Sequence, residues 1–211
     1  MNSLSGLAGM ALLALASAIL ISRDARATAG FYGLAAIPQA VIAGGLGVVH
    51  RQAELLVLAG VLLFVKGYLA PRLLTRVWPP SERSAYRLSG PTGTAGAMVA
   101  ALAAAAVALR VGSVVAPDGA TIGISGALAA MFVGMLAPAL RHELFTQAGG
   151  LLIAEAGASA AALLLVGALP GVADAVSLAD LMFLAIAFGV LLRWVATVHG
   201  RADARLLGGH E

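Results

Sequence analysis

Two ionisable side chains lie where the surrounding residues are almost all apolar. Glu155 sits near the middle of a run from Phe145 to Leu169, and Lys66 sits inside another, from Glu54 to Val77. A charge at bilayer depth costs about 3 kcal/mol on insertion scales. Such groups persist when they are paired or when they do a job. One acid and one base at that depth can form a proton or ion path. Glu155 would then load and unload a proton, and Lys66 would be its relay partner or a charge that biases it. The same two residues can instead form a structural ion pair that locks two helices.

The other polar residues extend either reading. Gln147 precedes Glu155 by eight residues, so both lie near one helix face. Gln39 stands mid-run beside Pro38, where its amide can bond a neighbouring helix. His142 and Glu143 lie at the cytoplasmic end of Glu155's helix, as a point of proton entry or as ordinary hairpin charges. Glu54 opens its run near the outer surface, where a charged side chain reaches water at little cost. Asp180 follows Ser177 by three residues, which reads as a helix cap or as an outer proton exit. Pro71 lies five residues after Lys66. It frees the carbonyl of Gly67, which neighbouring groups must satisfy, and a kink there can set the ammonium against a polar cavity.

The elements that position these groups follow from composition. Of 211 residues, 61% are hydrophobic and 11% are charged, against about 25% charged in soluble domains. The chain reads as an all-α integral membrane protein. Runs of about 20 apolar residues cross the hydrocarbon core as helices. About seven are expected: Leu4–Ile21, Thr28–Val49, Leu55–Val77, Thr92–Leu109, Thr121–Leu140, Phe145–Leu169 and Ser177–Thr197. Abundant Gly and Ala permit close helix packing, so a compact bundle is expected. The first run is read as a retained anchor, because Arg23 and Arg26 follow it and no positive charge precedes it.

Arginine placement sets the orientation. With the N-terminus outside, ten arginines fall in cytoplasmic segments and only Arg51 and Arg110 fall outside. The positive-inside rule then puts the C-terminus in the cytoplasm of a cell with this chain in its inner membrane. The loop Trp78–Pro91 divides a single membrane domain into a front segment, residues 1–77, and a back segment, residues 92–211. The short Arg141-His142-Glu143 link makes the fifth and sixth runs antiparallel neighbours.

Several chemistries are disfavoured. The chain has no cysteine, which removes disulfides, thiol catalysis and thiolate-held iron–sulfur clusters. Its four histidines, His50, His142, His199 and His210, lie at run ends or in the tail rather than mid-span. The net charge of +3 comes from scattered residues that form no patch for nucleic acid. No catalysis is expected from the chain alone.

The stretch Gln147-Ala-Gly-Gly-Leu-Leu-Ile-Ala-Glu155-Ala-Gly157, followed by Gly167-Ala-Leu-Pro170 and a last helix containing Asp180, resembles component E of hydrogenase-4 and formate hydrogenlyase-type complexes. Lys66 with Pro71 and an Arg-rich exit is similar to that family's Lys-containing segment. The last three runs resemble the small K subunit of respiratory complex I and the C subunit of Mrp-type antiporters. Ala156 stands where the family has Asn after the Glu. Ala185 to Phe188 occupy the depth of a second carboxylate in the complex I subunit. The resemblance implies a membrane-arm subunit of a redox-driven, ion-translocating complex, with Glu155 on a proton-conducting axis. It implies antiporter-like and anchor membrane subunits as partners, and soluble subunits holding iron–sulfur or other metal centres. The alternatives are a stand-alone transporter for a small solute or ion, and a purely structural scaffold within such a complex.

Overall fold

The computed structural model describes residues 2–22, 24–77, 90–115, 121–141 and 144–166. All of its elements are helical: α1 (Asn2–Ile21), α2 (Ala25–His50), α3 (Ala53–Leu62), a π-helical stretch (Leu63–Leu69), α4 (Ala70–Val77), α5 (Gly90–Val115), α6 (Thr121–Leu140) and α7 (Leu144–Val166). With α3, the π-helical stretch and α4 counted as one span, six helices are long and apolar enough to cross a membrane. They are the first six expected runs. The seventh, together with the loop at 78–89, His142, Glu143 and Asp180, lies outside the described residues.

Small residues set how these helices meet. A Cβ placed on Gly134 would lie 2.5 Å from the Gly150 carbonyl oxygen, and one on Gly157 would lie 2.5 Å from that of Ala127. The rising number on α6 meets the falling number on α7, so the two helices are antiparallel. A Cβ on Gly123 would lie 2.8 Å from the Ser5 carbonyl oxygen, and one on Gly126 would lie 2.5 Å from the carbonyl carbon of Gly9. Here α1 and α6 run in parallel with their backbones in near contact. In a membrane, this close approach recovers the packing energy that hydrophobicity alone does not supply.

α2 threads the assembly, packing on α1, α3, α4 and α7. α5 is attached mainly to α6 and leaves most of its surface uncovered. One point of attachment is Gly112, which leaves room for the Ser125 hydroxyl. The compact bundle expected from composition therefore describes the other five spans better than this one. Its uncovered surface carries large apolar side chains, among them Met98, Leu102 and Val114.

The α1–α2 turn and the α6–α7 turn share one end of the bundle. Arg141, buried after the last residue of α6, donates from Nη2 to the Ser22 carbonyl at 2.7 Å. Asp24 has extended backbone angles and caps α2, its Oδ1 accepting from the Arg26 N–H at 3.0 Å. Asp24→Ala leaves that N–H to water and is expected to cost about 1 kcal/mol. Unfolding in mixed detergent and sodium dodecyl sulfate micelles measures it; an unchanged midpoint would mean that the cap contributes nothing.

Candidate functional site

Lys66 and Glu155 meet in the interior. Nζ of Lys66 donates to Oε2 of Glu155 at 2.6 Å, joining the third span to α7 across 89 residues of sequence. The carboxylate's other oxygen, Oε1, accepts from the Ser159 hydroxyl at 2.8 Å. Ser159 is one helical turn further along α7, which places both side chains on the same face. The two charges differ in access: the Lys66 side chain is 3% exposed and that of Glu155 is 21% exposed.

Backbone geometry aims the lysine. Pro71 has no N–H, and within a helix its ring crowds the carbonyl four residues back. The chain answers with a wide turn rather than a simple kink. Residues Leu63–Leu69 form a π-helix, and the Ala70 N–H reaches back five residues to the Val65 carbonyl. A π-helical turn holds an extra residue and shifts the phase of everything after it. Within that turn only Lys66 is buried, while Phe64 and Tyr68 face outward. The turn packs on α2, where a Cβ on Gly33 would lie 3.1 Å from the Gly67 carbonyl oxygen. The carbonyl set free by Pro71 therefore lies against the Gly33 backbone.

α2 also contributes polar groups. Gln39, 1% exposed, donates from Nε2 to the carbonyl of Ala156 at 3.0 Å. This ties α2 to the residue next to Glu155. Tyr32, seven residues earlier on α2, is buried and lies within electrostatic range of the Glu155 carboxylate.

The residues singled out from the sequence thus separate. Lys66, Glu155 and Gln39 come together around the middle of α7. Gln147 belongs to the turn end, where Nε2 donates to the Arg141 carbonyl at 2.6 Å. Glu54 is exposed in the first turn of α3. His142, Glu143 and Asp180 lie outside the described residues. Ser159 and Tyr32 are additions. The spacing of four from Glu155 could have revealed Ser159, whereas nothing in the sequence says which helix Tyr32 faces.

The cluster offers an acid, a base, a hydroxyl and an amide, a set able to hold and pass a proton. Among the described residues, no three His, Asp or Glu side chains gather as metal ligands. No family model, curated protein or solved structure matches this chain. The chemistry of the Lys66–Glu155 cluster is therefore the ground for a functional reading.

Proposed function

We propose that this chain is a membrane-arm subunit of a multi-subunit, redox-driven, ion-translocating complex related to group 4 hydrogenases and complex I, and that Lys66 and Glu155 form one step of its proton relay. The reading adds a seventh span at 177–197, an outside N-terminus and residence in the inner membrane. Its partners are antiporter-like and anchor membrane subunits, with soluble subunits holding the metal centres. The sequence resemblance supplies the complex, and the 2.6 Å Lys66–Glu155 contact carries the relay.

The relay works as a charge exchange. With the carboxylate ionised, the ammonium is held against it. A proton arriving on Glu155, the more accessible partner, neutralises the carboxylate and releases the ammonium. Lys66 then gives its proton to an acceptor further along and becomes a neutral amine. The Glu155 carboxyl recharges the amine, which restores the pair, and one proton has moved. Ser159 holds the second carboxylate oxygen in place throughout.

A scaffold role rests on the same contact, since a static lock also pairs an acid with a base. Two measurements divide the readings. Mild-detergent purification of the tagged chain is expected to bring antiporter-like and metal-cluster subunits with it; a chain that purifies alone is a transporter instead. In the assembled complex, Glu155→Gln is expected to leave subunit composition and electron transfer intact while ion movement per turnover falls to background. Unchanged ion movement would leave the scaffold standing and remove the relay.

A further inference from the structure

The outward face of the Lys66 helix carries a second, unrelated arrangement. Phe64 and Tyr68 are exposed and stack with ring centroids 6.1 Å apart. The Arg72 guanidinium lies 5.0 Å from the centre of the Tyr68 ring and donates to the Tyr68 hydroxyl. Arg76 follows one turn later, also exposed. Ala70 and Leu74 bury the opposite side of α4. The result is a strip that begins as two aromatic rings at membrane depth and ends, where the span Ala53–Arg76 leaves the apolar core, in two guanidinium groups. Among the described residues, neither arginine pairs with a carboxylate.

The geometry points to a binding site for an anionic phospholipid, with its phosphate on Arg72 and Arg76 and an acyl chain along Tyr68 and Phe64. A guanidinium fork matches phosphate oxygens two at a time. The Tyr68 contact, through its ring face and its hydroxyl, holds the Arg72 fork in one orientation and lessens the ordering needed on binding. A soluble phosphate would use the arginines but leave the rings without a purpose. A lipid uses both ends, and the order of the strip, apolar inside and cationic at the edge, is that of a lipid standing in its leaflet. The site is independent of the proton relay, because Lys66 points to the other side of the same helix.

The test uses the full chain in neutral detergent, titrated with dioleoyl phosphatidylglycerol or dioleoyl phosphatidylcholine, with bound lipid counted by native mass spectrometry. Phosphatidylglycerol is expected to bind more tightly. Arg72→Gln with Arg76→Gln is expected to weaken it about thirtyfold, from two basic contacts of ordinary strength. Arg72→Lys with Arg76→Lys keeps the charge but loses the fork, and is expected to bind between the unaltered protein and the glutamine pair, which also guards against a misfolded glutamine variant. Arg110→Gln on α5 is expected to change nothing. Equal binding of the two lipids, or a glutamine pair that binds like the unaltered protein, would overturn the site. A photoreactive side chain placed at Tyr68 is expected to label lipid in native membranes; labelling of a protein there would assign the strip to a partner subunit.

Discussion

Lys66→Leu is expected to destabilise the bundle by about 3–5 kcal/mol, the range for removing one member of a buried ion pair. The loss arises less from the missing attraction than from what remains. Glu155 keeps the Ser159 hydroxyl but has no cation in an apolar setting, and a lone charge at that depth is itself costly. Glu155→Leu is expected to leave an ammonium that is 3% exposed and to cost a similar amount. Lys66→Leu with Glu155→Leu together should recover most of either loss, because the paired charges carry a desolvation penalty that two leucines do not. Reversible unfolding in mixed micelles, followed by far-ultraviolet circular dichroism, gives the three values. Two single substitutions that each cost under about 1 kcal/mol, with simple additivity in the double, would mean that the contact does not exist in the bilayer.

The double variant also separates structure from function. A static lock replaced by leucines should leave ion coupling intact, because stability is its whole contribution. A relay replaced by leucines should assemble and fail to couple, since neither leucine can carry a proton. A buried ion pair is weak support for stability in general. Stability alone therefore does not account for the pair, whose Lys66 stands on a π-turn, an irregularity common at functional sites.

The six described spans were legible as helices because length and apolar content decide them without reference to neighbours. The expected Thr121–Leu140 is α6 with the same ends. α2 and α5 run past their expected ends. α2 begins at Ala25 rather than Thr28, since Asp24 provides a cap. α5 runs to Val115 rather than Leu109, carrying Arg110 within the helix. The antiparallel α6–α7 pair followed from the short Arg141-His142-Glu143 link, but the other contacts between helices were not legible, for a physical reason. In a helix that is apolar on every side, no stripe of sequence says which face meets a neighbour. Lys66 and Glu155 announced themselves by charge, but Lys66 reaches Glu155 from a π-turn, and Pro71 suggested only a kink. Arg141 was counted with the charges that set orientation, yet it is buried and pins the α1–α2 turn. Only the fold reveals that contact.

Gly157→Ala is expected to lower both stability and coupling, although alanine is otherwise the easiest residue to place in a helix. The added Cβ would lie 2.5 Å from the Ala127 carbonyl oxygen and 2.6 Å from the Met131 nitrogen. Both are backbone atoms, so no side-chain rotation relieves the clash and α6 and α7 must separate. Overpacking of this kind costs about 1–3 kcal/mol. Glu155 stands two residues away on the same helix, and a displacement of α7 by a fraction of an ångström lengthens a 2.6 Å contact enough to weaken it. Gly60→Ala is the control, since nothing lies within 4 Å of its added Cβ, and it should leave both properties as they are. Unfolding midpoints of the two variants, with ion movement per turnover in assembled complexes, check the prediction. A Gly157→Ala protein as stable and as well coupled as the Gly60→Ala control would mean that the α6–α7 seam is looser than its geometry indicates, and that Glu155 does not depend on it for position.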